Sequence, residues 1–215
     1  MEITYIGHSS FKIRGKLVTI VTDPFESRVV GLPFPKHIAA DIVTVSHAHE
    51  DHNATLQIEG TPFIVSGPGE YEIKGVGIVG IGVFHDAQGG ATRGSNTIYR
   101  IEVDGMSVVH LGDLGHALSA DLVESLDGVD ILLVPVGGHY TIDAAAAATL
   151  VHEIEPSIVI PMHYQRAGLN SDIFSALLPV AAFLKELGKD VALPQPKLTV
   201  TKDKLPSEMQ VVVLQ

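Results

Sequence analysis

Residues Ser46-His47-Ala48-His49-Glu50-Asp51-His52-Asn53 place three imidazoles and two carboxylates, Glu50 and Asp51, between positions 47 and 52. They follow Asp41-Ile42-Val43-Thr44-Val45, an apolar β-branched run that reads as a buried strand. Imidazole nitrogen and carboxylate oxygen together suit Zn, Fe, Mn and similar divalent cations. A solvated turn needs Gly, Asn, Asp or Pro and gains nothing from three histidines. His47 and His49 stand at i and i+2, so in extended backbone they point the same way. Asp51 and His52 come after the chain turns and can serve a second ion. Three later segments repeat the theme of a metal-capable group after an apolar run: Val83-Phe84-His85-Asp86, Val109-His110-Leu111-Gly112-Asp113-Leu114-Gly115-His116 and Ile160-Pro161-Met162-His163-Tyr164. Two divalent ions about 3.5–4 Å apart can share a hydroxide and polarise a substrate oxygen. Such binding brings the pKa of water from near 16 to about 7, which supplies a nucleophile without Ser or Cys.

The elements that must position these groups are short. In the first half, Ile3 to Ile6, Ser10 to Ile13 and Leu17 to Val21 read as strands, broken at Gly7-His8-Ser9 and Arg14-Gly15-Lys16. Residues 26 to 40, with Gly31, Pro33 and Pro35, read as a loop. Ile42 to Val45 and Phe63 to Val65 are strands. Tyr71 to Lys74 and Val76 to Val83 read as a hairpin. Residues 87 to 95 read as a mobile loop by composition. Asp104-Gly105 between Thr97 to Val103 and Met106 to Leu111 is a strong hairpin signal. After residue 115 strands and helices alternate. Ser119 caps a helix to about Leu126, and Ile131 to Val134 is a buried strand. Thr141 or Asp143 caps an Ala-rich helix that ends before Pro156. Ile158 to Ile160 is a strand ending at Pro161. Asp172 to Leu187 reads as one amphipathic helix closed by Gly188. Leu198 to Val200 and Val211 to Leu214 are candidate terminal strands. No internal repeat and no linker is visible, so residues 1 to 215 are expected to form one domain, with two sheets covered by helices. Strand ends that converge at one edge of such a core can hold a rigid site.

Composition narrows the function. The chain has 215 residues, 46% hydrophobic and 18% charged, which fits a globular fold with ample length for a core. Its formal net charge of -11 argues against a broad electrostatic grip on nucleic acid. It leaves room for an anionic substrate, because two divalent cations would add about four positive charges at the site itself. With no cysteine, thiolate ligands, disulfides and a Cys nucleophile are excluded, so any metal is held by His, Asp or Glu. No signal-peptide pattern and no apolar run of membrane-spanning length is visible, and the expected location is the cytoplasm. Gly75-Val76-Gly77-Ile78-Val79-Gly80 formally matches G-x-G-x-x-G, but it reads as strand and no helix follows, so dinucleotide binding is not expected.

The pattern resembles the metallo-β-lactamase superfamily through His-x-His-x-Asp-His at 47 to 52, Gly112-Asp113 after a strand, and His163 after a later strand. Closer still, the chain is similar to the small Zn-dependent hydrolases related to ascorbate-6-phosphate lactonase. Gly7-His8-Ser9-Ser10-Phe11, Thr22-Asp23-Pro24, Gly67-Pro68-Gly69-Glu70-Tyr71, His110 to His116 and Ile160 to Tyr164 carry that likeness, over roughly residues 2 to 187. The resemblance implies an α+β fold, a four-layer αββα sandwich with the site between the sheet edges. It implies two divalent ions, Zn²⁺ with Mn²⁺ or Fe as alternatives. His47, His49 and His85 would hold the first, Asp51, His52 and His163 the second, and Asp113 would bridge. His110 and His116 are rivals of His85 by their proximity to Asp113. Asp51 and Asp113 are the expected catalytic carboxylates, Asp51 as the group that orients the hydroxide. His8, Asp23, His110 and His116 are candidates to hold ligand tautomers or touch substrate. His139, in the Gly137-Gly138 loop, is a candidate to reach substrate. Glu50 is expected to face solvent.

The expected reaction is hydrolysis of a lactone, ester or phosphate-ester bond in a small, anionic-compatible molecule. A nucleic-acid phosphodiesterase, a di-iron redox protein and a metal-binding regulatory module are the alternatives. Arg93, Lys36 and Arg166 lie in loops where they could meet a phosphate. A homo-oligomer is compatible with the sequence.

Overall fold

Strand and helix bounds follow from local chemistry at their ends. In chain order the strands are β1 (Glu2–Gly7), β2 (Ser10–Arg14), β3 (Thr19–Thr22), β4 (Ile42–Val45), β5 (Phe63–Ser66), β6 (Gly69–Ile73), β7 (Val76–Phe84), β8 (Ser95–Val103), β9 (Met106–His110), β10 (Ile131–Pro135), β11 (Ile158–Met162), β12 (Leu198–Thr199) and β13 (Gln210–Val211). The helices are α1 (Ser27–Val30), α2 (Ala120–Ser125), α3 (Ala144–Ile154), α4 (Ser171–Phe174) and α5 (Val180–Glu186). The structure is a computed structural model that describes residues 1–190 and 193–215.

Two sheets result, one in the order β12-β1-β2-β3-β4-β5 and the other β13-β11-β10-β9-β8-β7-β6. Each starts with an antiparallel meander and continues in parallel. β1, β2 and β3 alternate in direction, then β4 and β5 run parallel to β3. β7, β8 and β9 alternate, then β10 and β11 run parallel to β9. The C-terminal ends of β1, β3 and β4 therefore share one edge of their sheet, and those of β7, β9, β10 and β11 share one edge of theirs. This repeated sheet pattern is not visible in the residues, because strand direction leaves no mark on local sequence.

The period-2 rule sorts the strands' side chains into layers. Ile3, Phe11, Ile13, Ile20 and Ile42 of the first sheet pack with Ile78, Tyr99, Ile101, Val108 and Ile160 of the second. On the far side of the second sheet, Val109, Leu132 and Val159 meet Ala147, Leu150 and Val151 of α3 and Phe183 of α5. On the far side of the first, Val21, Val43 and Val45 meet Val30 of α1, Phe25, and Phe174 of α4. This is the αββα sandwich.

The expected helix over Asp172 to Leu187 is two helices. Phe174 and Leu177 cover the first sheet, whereas Phe183 covers the second, and a straight helix could not reach both. Pro179 ends the connection and caps α5, where its missing N–H costs nothing. The expected loop over 26 to 40 contains α1, closed by Gly31 at φ 90. The third strand begins at Thr19, because Gly15 N–H donates to the Val18 carbonyl in a turn that leaves Leu17 exposed. Pro161 lies inside β11, paired with Val134, and the strand runs on to Met162. The last expected strand is split: β13 pairs with β11, and Val212 N–H then donates to the Val159 carbonyl. Among the described residues no helix is long and apolar enough to cross a membrane.

Candidate metal centre

Each metal-capable residue sits just past a strand end at the shared edges. His8 follows β1, Asp23 follows β3, and His47 to His52 follow β4 on the first sheet. His85 follows β7, Asp113 lies three residues beyond β9, and His163 follows β11 on the second. His8, Asp23 and His163 are in left-handed backbone, at φ 57, 40 and 52. Such conformations cost on the order of 1 kcal/mol or more each and persist only where the surroundings impose them. Here the surroundings are hydrogen bonds that tie the sheets together. His163 N–H donates to the His8 carbonyl at 2.8 Å, and the Tyr5 hydroxyl donates to the same oxygen at 2.7 Å. Thr97 N–H donates to the Ser46 carbonyl at 2.9 Å, and the Tyr99 hydroxyl to the Val45 carbonyl at 2.9 Å.

The donor atoms fall into two main sets. His47, His49 and His85 offer nitrogens within 4.8 Å of one another; His8, His52 and His163 offer nitrogens and Asp51 an oxygen within the same limit, and Asp23, His47 and His52 form a third group that links the two. Asp113 lies between them. Its Oδ2 is 3.4 Å from His85 Nε2, 3.3 Å from His52 Nε2 and 3.2 Å from His163 Nε2. Nε2 of His47, His52 and His163 and Oδ1 of Asp113 are buried without a hydrogen-bond partner. Buried polar atoms are nearly always paired. Four orphaned nitrogen and oxygen donors aimed at one space fit a cation with borderline-hard ligands.

A second layer fixes which nitrogen faces that space. His52 Nδ1–H donates to Asp23 Oδ2 at 2.8 Å. His47 Nδ1–H donates to Ser46 Oγ at 2.9 Å, and Ser46 Oγ–H donates onward to the same Asp23 oxygen at 2.5 Å. Asp23 thus sets the tautomer of two imidazoles, leaving Nε2 of each as the free lone pair. Asn96 accepts from Asp113 N–H at 3.0 Å and donates to the Leu111 carbonyl at 2.9 Å, which fixes the Asp113 turn.

The charges agree with a cation site. Burial pushes His47 down to about 3, so its imidazole is neutral at physiological pH. Burial opposes the charged form of His52 too, but the carboxylates of Asp113 and Asp51 outweigh it and raise the group well above its ordinary value. Burial also opposes the charged form of Asp113, yet His163 and His52 hold its carboxyl well below the usual range. Three carboxylates, Asp23, Asp51 and Asp113, surround His52, and positive charge is what that geometry lacks.

The cluster opens into a cavity of about 230 Å³ with His49, Asp51, His85, Asp113 and His163 on one wall. Val29, Ile173, Phe174, Tyr140 and Arg93 complete it. A larger depression of about 630 Å³ beside Leu184, Lys189 and Met209 contains none of the metal-capable clusters.

Comparison with known proteins places this geometry. Residues 2–163 match the model of the beta-lactamase superfamily domain. The chain is 31% identical over 193 residues to a UPF0173 metal-dependent hydrolase from Thermococcus onnurineus, covering 76% of this chain and 84% of the relative. The chain belongs to the metallo-β-lactamase superfamily. It is a metal-dependent hydrolase, as are the relatives it matches. A 29% identical counterpart from Thermoplasma acidophilum covers the same 76% of the chain and 83% of its own length. A solved structure from Thermotoga maritima, described as a candidate Zn-dependent hydrolase of the superfamily, superposes with a TM-score of 0.81. It is 37% identical and covers 99% of this chain and 97% of its own.

Within the hydrolase, the other residues singled out by sequence have distinct places. His8 is buried against His163 and its Nε2 is 3.1 Å from Asp51 Oδ2, so it holds that carboxylate. His110 is turned away from the cluster: Nε2 donates to the Ser9 carbonyl at 2.8 Å, and Nδ1 accepts from Gly112 N–H at 3.1 Å. His116 accepts from Phe84 N–H at 3.2 Å and donates to the Ala117 carbonyl at 2.7 Å, bracing the backbone beside His85. His139 is exposed and packs on Tyr140, and the ring in the cavity wall is Tyr140 itself. Glu50 is exposed and pairs with Arg28 at 2.5 Å. Arg166 stacks on Tyr5, away from the cavity, and Lys36 is exposed. Ser46, Asn96, Tyr140 and Phe174 were not legible as site residues. Ser46 alone carried a signal, as a hydroxyl directly before the first histidine.

The segment 87 to 95, expected to be mobile, is organised by Asp86. Its Oδ1 accepts from Gln88 and Gly90 N–H at 2.8 and 2.9 Å, and its Oδ2 from Thr92 and Arg93 N–H at 2.9 and 2.7 Å. An acidic residue before a Gly-rich run is the sequence signal for such a turn.

Proposed function

We propose that the hydrolase holds two divalent ions, with Zn²⁺ the first candidate, and cleaves a lactone, ester or phosphate-ester bond in a small molecule. His47, His49 and His85 would hold one ion, and Asp51, His52 and His163 the other, with Asp113 shared. Ions held there would supply a hydroxide nucleophile near neutral pH and would polarise the substrate's carbonyl or phosphoryl oxygen.

The chain's own residues do the rest. Asp23 and Ser46 keep His47 and His52 in the tautomer that presents Nε2. His8 keeps Asp51 turned into the cavity, where that carboxylate can accept a proton. Val29, Ile173 and Phe174 form the apolar part of the cavity lining and would displace water once substrate is bound, which would strengthen the charge interactions inside.

The observation that carries this reading is the position of Asp113 Oδ2, within 3.2 to 3.4 Å of imidazoles from both donor sets. Metal analysis of the purified protein, followed by a panel of lactone, ester and phosphodiester substrates, tests it. Two equivalents of metal with hydrolysis of at least one class is the expected result. A protein that carries two metals and hydrolyses none of them, while its iron form consumes O₂, would sink the hydrolytic reading of this site.

A further inference from the structure

Of the 14 lysines and arginines, Arg93 is the one that lines the cavity. Its neighbours give the guanidinium little to do. Nη2 donates to the His139 carbonyl at a long 3.4 Å, and the guanidinium carbon lies 5.4 Å from the centre of the Tyr140 ring. Among the described residues its guanidinium makes no ion pair, although Asp51 and Asp113 line the same cavity, in a chain with eleven more acidic than basic side chains. Six other arginines and lysines are paired to acids, as in Arg28–Glu50, Arg100–Glu102 and Lys202–Asp130, and Arg166, which also lies over a tyrosine ring, does not line the cavity. Arg93 is half-buried and its backbone is fixed, because its N–H and that of Thr92 both donate to Asp86 Oδ2. Asp86 is bonded directly to His85, so the guanidinium is tied through one turn of chain to a metal-capable imidazole. Guanidinium has five donors in a planar fork, and only one is engaged here. A guanidinium over an aromatic ring, with a free fork beside an apolar wall, is suited to bidentate pairing with a carboxylate or phosphate.

We infer that Arg93 is the anion-binding residue of the substrate pocket, and that the substrate carries a carboxylate or phosphate group beside the bond that is cut. This rests on the cavity being the substrate site of the proposed hydrolase. Val29, Ile173 and Phe174 would take the apolar body of the molecule, Arg93 its charged end, and the His and Asp wall its scissile bond. The cavity, at about 230 Å³, limits the molecule to a small one.

The test uses the zinc-loaded wild type with R93M and R93K, each checked for metal content. Calorimetric titration with inorganic phosphate and with acetate reads binding without turnover. Wild type should bind at least one of these anions about tenfold more tightly than R93M, the scale of one charge-assisted hydrogen bond. R93K should fall between the two, because it keeps the charge and loses the fork. The anion that loses more affinity assigns phosphate or carboxylate. In parallel, the preference of the enzyme for 5-oxotetrahydrofuran-2-carboxylate over γ-butyrolactone, as a ratio of kcat/KM, should drop about tenfold in R93M if the carboxylate is the group recognised. Equal binding of both anions by wild type and R93M, within about twofold, overturns the inference even if lactones are hydrolysed. Arg93-dependent anion binding with no hydrolysis of any substrate supports it and overturns the reaction instead. If R93M loses its metal, R93Q carries the same comparison.

Discussion

At the residue scale, Asp113 is the point where the two donor sets meet, and Asp23 is the residue that makes them usable. Asp113 is buried, its Oδ2 sits among three imidazoles, and its Oδ1 has no protein partner. Asp113→Ala should therefore remove metal and activity together, to background in both, as read by elemental analysis and the best substrate of the panel. A variant with full activity and full metal would show that Asp113 is not a metal ligand. Asp23 differs in kind, because both of its oxygens are engaged by Ser46 and His52 and neither is left for a cation. Asp23→Asn has one accepting oxygen where the carboxylate uses two, so it cannot accept from Ser46 N–H on one side and from Ser46 Oγ–H and His52 Nδ1–H on the other, which loosens the hold on the two imidazole tautomers. Metal affinity should fall about 10- to 100-fold with the fold retained, the usual effect of losing such a partner. Competition against a chelator of known affinity measures it, and an unchanged constant would refute the tautomer-setting role.

At the scale of elements, the site depends on how closely a loop from one strand can approach another. The β9 loop passes beside the end of β7 at Gly115, where a Cβ would stand 2.2 Å from the His85 carbonyl carbon and 2.3 Å from its oxygen. Both obstacles are backbone and cannot turn aside. Gly115→Ala should displace His85 from His47 and His49, costing about 1–3 kcal/mol of stability as an overpacked site does and lowering metal occupancy. A crystal structure of the variant with His85 unmoved would contradict this. The adjoining turn has its own pH signature. Donation from the Arg93, Thr92, Gln88 and Gly90 amides holds Asp86 down to about 2, Arg93 foremost, against a smaller opposing effect of burial. A carboxylate with a folded pKa below its unfolded value of about 3.9 stabilises the fold above that value and stops doing so as pH falls through about 2. The stability gap between wild type and Asp86→Asn should be full above about pH 4 and close towards pH 2. Denaturant titrations across that range read it, and a gap independent of pH would exclude the carboxylate as the anchor. Much of this scale was legible in sequence. The hairpin at Asp104-Gly105 follows from two left-handed residues at φ 55 and 76, and the Asp143 cap of α3 from its acceptance of the Ala146 amide. The break between α4 and α5 was not legible, because it is set by which sheet each half must cover, and both halves share one amphipathic pattern.

At the scale of the whole molecule, the centre is a seam. His47, His49, Asp51 and His52 belong to the first sheet, and His85, Asp113 and His163 to the second. The sequence carried the identity of these residues, since metal-capable groups past apolar runs stand out locally. It could not carry the closure of the seam, which depends on Tyr99 and Thr97 donating across to Val45 and Ser46, or on His163 donating to the His8 carbonyl, contacts between residues far apart in the chain. Nor could it show the apolar wall, because Val29 and Phe174 resemble any core residue until α1 and α4 are packed. A cation bound at the seam would cross-link the two sheets and offset the mutual repulsion of Asp23, Asp51 and Asp113. Ligand that binds only the folded state stabilises it by about 4 kcal/mol when present at a thousand times its dissociation constant. For a chain of this size that is a shift in Tm on the order of 10 °C. Chelation of the metal-loaded protein should lower Tm by that amount, and stoichiometric Zn²⁺ should restore it. Asp113→Ala should already melt near the chelated value and respond little to either addition. Calorimetry of both proteins with and without chelator decides the matter. If the metal-loaded wild type melts at the same temperature after its metal is removed, the two sheets are held together by their hydrogen bonds and core alone, and bound metal does not serve the fold.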